Sequence, residues 1–177
     1  NKNKFFRSKA SVKIIDYKKI GKTYVIAEIG QAHDGSLGML HSLVESAASL
    51  GVNAVKFQVH IADAESSDLE PFRVKFSYQD TSRYQYWKRM EFNISDWEMI
   101  KKKCDDLGVE FLATPFSTAA VDLLEKINVK RYKIGSGDAS NLLLLEKIAK
   151  TKKEVMISSG LGTLDELDKS VSIFRNG

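Results

Sequence analysis

Short apolar runs alternate with longer amphipathic stretches along this chain, the rhythm of βα units around a parallel sheet. Strands are predicted at 24–29, 54–58, 110–114, 131–134 and 154–158, each followed by a helix. The first helix begins near Ser36, carries Leu40, Val44 and Ala48 on one face and ends at Gly51. The second opens on a capping box, Ser95-Asp96-Trp97-Glu98, and stops at Gly108. The third follows Pro115-Phe116-Ser117, with Ser117 as its cap, and runs to about Ile127. The fourth carries Leu142, Leu145 and Ile148. The fifth opens on a second capping box, Thr163-Leu164-Asp165-Glu166, and then shows Leu167, Val171 and Phe174.

Two segments break this rhythm. Residues before Tyr24 suit a short hairpin around Ile14-Ile15 and Ile20-Gly21. Residues 60–93 form a long insertion between the second strand and its helix, holding Tyr78, Arg83, Tyr84, Tyr86, Trp87 and Arg89. A loop of that length in a compact domain is commonly a lid or a binding element. The competing reading is a local aromatic cluster that packs the loop down.

Side chains alternate across a strand, so the predicted strands sort their residues onto two faces. One face collects Val25, Ala27, Ile29, Val55, Phe57, Phe111, Ala113, Tyr132, Ile134, Val155 and Ile157, all suited to packing under helices. The other collects Ile26, Glu28, Lys56, Gln58, Leu112, Thr114, Lys133, Met156 and Ser158, with its polar members mostly toward the strand ends. A doubly wound sheet buries both faces under helices and tolerates Lys56 and Lys133 poorly. A (β/α)8 barrel accommodates them, because its interior opens at the C-terminal mouth where substrate sits. The βα units counted above do not close such a barrel. The expectation is therefore the N-terminal portion of a longer TIM-barrel protein. The alternative is an open five-stranded sheet complete in itself.

Composition narrows the partners. The chain has 177 residues, 43% of them hydrophobic, and two prolines, which suits a folded domain. Its net charge of +4, from 27 basic and 23 acidic residues, is mild, and the basic 1–22 segment reads as a solvated rim. No nucleic-acid partner is expected. No apolar run approaches a membrane span, so no membrane partner is expected either. Cys104 is the only cysteine, which rules out an intrachain disulfide and fits a cytoplasmic protein. It lies with Ile100 and Leu107 on a helix and reads as a core residue.

The candidate chemistry gathers at strand ends. In Lys133-Ile134-Gly135-Ser136-Gly137-Asp138 a cation precedes a glycine-serine-glycine turn that ends in a carboxylate. A cation and closely spaced backbone N–H groups suit a phosphate or carboxylate ligand. Lys56 repeats the cation one strand away, and two interior lysines point to an anion. Ser136 and Ser158 add neutral donors, and Thr114 places a hydroxyl at the third strand end. Glu28 can act as a base, hold a sugar hydroxyl or pair with either lysine. His33 and His60 read as hydrogen-bonding rim residues and His41 as a plain helical residue, since no metal-ligand spacing is present. No Walker loop, nucleophile elbow or dinucleotide fingerprint occurs.

These stretches resemble the sialic acid synthase (N-acetylneuraminate synthase) family. The resemblance rests on Ile26-Ala27-Glu28-Ile29-Gly30, His33-Asp34-Gly35, Ala54-Val55-Lys56-Phe57-Gln58, Thr114-Pro115-Phe116-Ser117, Tyr132-Lys133-Ile134-Gly135-Ser136-Gly137 and Ile157-Ser158-Ser159-Gly160, in family order. It implies a TIM-barrel enzyme that condenses phosphoenolpyruvate with an N-acetylated amino sugar, giving a nine-carbon 2-keto sugar acid and phosphate. By carry-over, Lys56, Thr114, Lys133, Ser136 and Ser158 bind phosphoenolpyruvate, while Glu28 and Gln58 face the sugar. Asp138 stands where the family has a glutamate, as acid or base, one methylene shorter. Ala32 stands where the family often has asparagine. The resemblance further implies a divalent metal, usually Mn2+, whose main ligands lie beyond residue 177. It also implies a C-terminal antifreeze-like domain, and a homodimer in the full-length protein. Residues 1–177 alone are then expected to be inactive. Three other readings stay open: a different phosphoenolpyruvate-dependent sugar acid synthase, a Schiff-base aldolase using Lys133, and a non-catalytic phosphate-binding barrel.

Overall fold

The computed structural model describes residues 23–176. The hairpin predicted around Ile14-Ile15 and Ile20-Gly21 lies outside the described residues. The elements run β1 (Ile26–Gly30), α1 (Leu37–Ser49), β2 (Ala54–Val59), α2 (Ala62–Glu65), α3 (Arg83–Met90), α4 (Ile94–Asp106), β3 (Glu110–Pro115), α5 (Thr118–Lys126), β4 (Arg131–Ile134), a 3-10 turn (Ser136–Asp138), α6 (Leu142–Ala149), β5 (Glu154–Ile157) and α7 (Leu164–Asn176). All five strands are parallel and lie in the order β1-β2-β3-β4-β5. Sequential order with right-handed crossovers places successive helices on one face of the sheet. A doubly wound sheet reverses its order part-way and would split them.

Burial follows the face predicted to be apolar only in part: Val25, placed on it, is 47% exposed, and Leu112, Thr114 and Lys56 of the other face are buried too, because the central strands are covered on both sides. Val55, Phe57, Ala113 and Tyr132 are fully buried, and Phe111 and Ile134 nearly so, against Leu40, Val44, Trp97, Ile100, Leu124 and Leu145 from the helices. Fully burying each large side chain contributes about 1.5–3 kcal/mol, so this layer carries much of the stability. Cys104 belongs to it, and burial pushes its thiol up to about 12.

The opposite face is concave. Arg131, at the start of β4, is 6% exposed. Its Nε lies 2.6 Å from Glu110 Oε1 and its Nη2 donates to Glu110 Oε2 at 3.0 Å. Its Nη1 lies 3.5 Å from Glu154 Oε2, and its guanidinium carbon lies 5.7 Å from the Tyr24 ring centre. The Tyr24 hydroxyl donates to the same Glu110 at 2.8 Å. Tyr24 leads into the first strand and Arg131 opens the fourth. In a flat sheet those strands stand roughly 14 Å apart. Their side chains meet because the sheet curls toward this face. Among the described residues β1 and β5 do not pair with each other, so these strands form a curled open sheet and not a closed barrel.

Local detail departs from prediction in several places. The second predicted helix is α4, and its capping box is Asn93 with Asp96, two residues earlier than expected. In α1 the buried positions are Leu40, Val44 and Ala47, with Ala48 only partly covered. In α6, Leu144, Leu145 and Ile148 are buried while Leu142 is 55% exposed, so the helix enters the layer two residues later than predicted. Ser158 falls just past β5, although its N–H donates to Ile134 O at 3.0 Å and continues the ladder. Residues 60–93 contain α2 and α3 instead of forming one loop. Ser117 and Thr163 cap α5 and α7 as expected.

Candidate functional site

The concave face brings Glu28, Lys56, Gln58, Thr114 and Lys133 toward the C-terminal ends of β1 to β4. Glu28 lies opposite Lys56 in register, Gln58 opposite Thr114, and Lys133 opposite Met156. Pairing between β1 and β2 shifts register between Glu28 and Gly30, a bulge that ends the first strand. The Lys56 ammonium sits 2.7 Å from Glu28 Oε2; the lysine side chain is 9% exposed and the glutamate 52%. The pairing reading of Glu28 is therefore realised with Lys56, and the carboxylate still faces solvent.

Lys133 is half-buried, and among the described residues it makes no ion pair. Burial pushes its ammonium below the ordinary lysine range, the neighbouring Lys56 charge adds to this, and Glu28 opposes it. That β4 and β1 feel each other is a second sign of the curl. Thr114 is 2% exposed, and its hydroxyl has no partner among the described residues. A cation lacking a counter-ion and a buried hydroxyl lacking an acceptor on one concave face suit an anionic ligand.

Ser136 and Asp138 lie on the 3-10 turn after β4. The loop after β5 closes on this turn: a Cβ at Gly160 would stand 4.0 Å from Ser136 Oγ. Between them lies a hollow of about 190 Å³ lined by Ser136, Gly137, Ser140, Ser159, Thr163 and Glu166, among others. Asp138 Oδ1 accepts from Asn141 Nδ2 at 3.4 Å, and Asn141 caps α6. Among the described residues no hydrogen bond or ion pair joins Asp138 to Glu28, Lys56 or Lys133. The site residues thus fall into a lysine-centred group on the strands and a serine-rich group on the β4 and β5 loops.

The histidines are not rim residues. His33 is 1% exposed; its Nδ1 accepts from the Gly35 N–H at 3.1 Å and its ring lies 4.9 Å from Phe92. Burial holds its imidazole down to about 4, so it is neutral at pH 7. His60 is 4% exposed and stacked between Trp87 and Phe116, with ring centres 3.8 and 4.1 Å away, while Nδ1 lies 2.5 Å from Glu65 Oε1. The local aromatic cluster in the insertion is thus real. It also frames an outer hollow of about 290 Å³ between Arg73, Val74, Phe76, Arg83, Tyr86 and Trp87. Sequence reasoning placed Asp34 in a family motif and Arg89 in the insertion and passed over Asp80; the structure ties the three together at the mouth of β1, a link that no spacing in the sequence marks. Among the described residues no group of three His, Cys, Asp or Glu side chains could hold a metal ion. No helix among them is long and apolar enough to cross a membrane.

Residues 43–177 match the NeuB family. The chain belongs to that family. The N,N'-diacetyllegionaminic acid synthase of Campylobacter jejuni is 36% identical to it over 160 residues, covering 88% of this chain and 48% of that protein. Human N-acetylneuraminate-9-phosphate synthase is 30% identical over 162 residues, covering 86% of this chain and 43% of that one. The N-acetylneuraminic acid (sialic acid) synthetase of Leptospira borgpetersenii, solved with citrate, superposes with a TM-score of 0.73 at 27% identity, over 88% of this chain and 50% of that one. This NeuB chain therefore spans about half the length of the curated relatives it matches. Its likeness to sialic acid synthases, expected from the motifs, holds across sequence and fold.

Proposed function

We propose that this NeuB chain supplies the phosphoenolpyruvate-binding half of a synthase. That enzyme joins phosphoenolpyruvate to an N-acetylated amino sugar, giving a nine-carbon 2-keto sugar acid and phosphate. The observation that carries this reading is Lys133, a half-buried cation that makes no ion pair among the described residues and feels Lys56 on the concave face. The relatives' names and the curled sheet support it, and in this reading further strands complete a (β/α)8 barrel.

In this reading Lys133 and Lys56, the latter already partly neutralised by Glu28, meet the phosphate and carboxylate of phosphoenolpyruvate. Thr114, Ser136 and Ser158 donate hydroxyl hydrogen bonds to the same anion. Glu28 and Gln58 meet the sugar. The enol carbon C3 attacks the sugar aldehyde, water adds at C2, and phosphate departs with C–O cleavage. Asp138 is the candidate proton carrier, and Asp138→Asn should leave phosphoenolpyruvate binding largely intact while slowing turnover. A divalent metal, Mn2+ in the family, would polarise the aldehyde when bound. The described residues do not form a site for it. A cytoplasmic homodimer completes the reading.

The depressed Lys133 ammonium favours one second reading, a Schiff-base aldolase. Borohydride trapping with a keto acid labels Lys133 in that case and leaves it unlabelled in a synthase. The deciding assay is phosphate release by the protein expressed from its whole coding sequence, given phosphoenolpyruvate, Mn2+ and a panel of N-acetylated hexosamines. Sugar-dependent release is expected. Phosphoenolpyruvate binding without release for any sugar would overturn the synthase reading in favour of a non-catalytic barrel.

A further inference from the structure

Two segments flank the strand ends that bear Glu28 and Gln58: the 31–35 loop after β1 and the 60–93 insertion after β2. Arg89, in the last turn of α3, binds them together. Its Nη1 donates to the Asp34 carbonyl oxygen at 3.0 Å and to Asp34 Oδ1 at 2.7 Å. Its Nε donates to Asp80 Oδ1 and Oδ2 at 3.1 and 3.2 Å, and its Nη2 to Asp80 Oδ2 at 2.8 Å. Asp80 is 7% exposed and also accepts from Ser77 Oγ at 2.6 Å. The guanidinium carbon lies 5.4 Å from the Tyr86 ring centre.

The backbone of Arg89 meets the same loop. A Cβ at Gly35 would fall 2.3 Å from the Arg89 carbonyl oxygen, and Gly35 sits at φ +76. The preceding Asp34 is also left-handed, at φ 48. The loop is therefore moulded onto Arg89 by its side chain and its main chain at once. A lysine cannot reproduce the fork, since one ammonium cannot span both carboxylates in plane. Arg89 makes no hydrogen bond, ion pair or ring contact with β3, β4 or β5 among the described residues, which carry Thr114 and Lys133 and lead into Ser136 and Ser158.

We infer that Arg89 is a positioning residue for the acceptor sugar. It fixes the 31–35 loop after β1 against the insertion after β2 and so holds the two segments that flank Glu28 and Gln58, the side chains assigned to the sugar. The inference rests on the synthase reading. It separates two substrates that a purely stabilising ion cluster would treat alike.

The test measures KM for sugar and for phosphoenolpyruvate, and phosphoenolpyruvate Kd by calorimetry, in protein from the whole coding sequence. Variants are Arg89→Met, Arg89→Lys and Asp34→Gly; the last suits its left-handed backbone and removes an exposed contact, so it keeps the test open if Arg89→Met folds poorly. Sugar KM should rise roughly tenfold in Arg89→Met, since misplacement by about 1 Å can cost more than that. Phosphoenolpyruvate Kd should stay within about twofold, because Lys56 is held mid-strand by pairing on both sides and the other assigned residues lie on or after β3 to β5. Arg89→Lys should stay closer to Arg89→Met than to the parent, and Asp34→Gly should shift sugar KM in the same direction. An unchanged sugar KM in folded variants, or an equal rise for both substrates, overturns the inference and leaves the synthase reading standing. No sugar-dependent release by the unaltered protein overturns both.

Discussion

Gly35→Ala tests whether the loop after β1 is as tightly seated on Arg89 as the structure indicates. Two costs add. Holding alanine at φ +76 costs about 1–2 kcal/mol from its own backbone. The new methyl would also stand 2.3 Å from the Arg89 carbonyl oxygen, closer than real Cβ contacts come. Relieving it moves one main-chain segment by roughly 1 Å, which adds about 1–3 kcal/mol. The sum is about 2–5 kcal/mol. Gly51→Ala is the internal control: it has φ +75 but nothing within 4 Å, so only the first cost applies. Urea unfolding followed by far-UV circular dichroism gives both values on one scale. A Gly35→Ala loss no larger than that of Gly51→Ala would refute the close seating and weaken the role given to Arg89.

Two further perturbations address the concave face. Because burial and Lys56 hold Lys133 below the ordinary lysine range, phosphoenolpyruvate affinity should begin to fall at a lower pH than an unperturbed lysine, titrating near about 10.4, would dictate. The fall runs with rising pH, since deprotonation removes the cation. Calorimetry from pH 7 to 10 checks it; Lys133→Arg should flatten the profile and Lys133→Ala should abolish binding, and unchanged affinity in Lys133→Ala refutes the pocket assignment. Removing the Arg131 guanidinium by Arg131→Met leaves Glu110 with the Tyr24 hydroxyl and, 3.8 Å away, the Lys130 ammonium, so the loss should fall at about 3 kcal/mol, the low end for a broken buried pair. Adding Glu110→Gln should recover part of that loss, and a double variant no better than the single one would argue against the pair.

The sequence revealed the strands well because their apolar residues alternate cleanly. Val55, Phe57, Phe111, Ala113, Tyr132 and Ile134 all lie on the buried face expected of them. Lys56 and Lys133 betrayed the opposite face because a buried lysine is costly unless it has a task. Residues 60–93 were less legible. Their order comes from contacts distant in sequence, such as Arg89 with Asp34 and His60 with Trp87. His60 was misplaced at the rim because nothing local shows that two aromatic rings will cover it. The α4 cap was misread because Asn93 and Ser95 are both good capping residues, and only the register of the helix chooses between them. Asp138 lies at the end of the glycine-serine-glycine turn expected there, but its hydrogen bond with Asn141 depends on the 3-10 form of that turn, which the sequence does not specify.

The aromatic packing also divides the optical reporters of the molecule. The chain has two tryptophans. Trp97 is 2% exposed and ringed by Phe57, Phe92 and Phe111 in the layer between sheet and helices. Trp87 lies flat on His60 in the insertion, with the Arg83 guanidinium 5.9 Å from its ring centre. One indole therefore reads the integrity of the core and the other reads the mouth. With Trp97 replaced by phenylalanine, emission from the remaining indole becomes a direct signal of the insertion, separate from the state of the core.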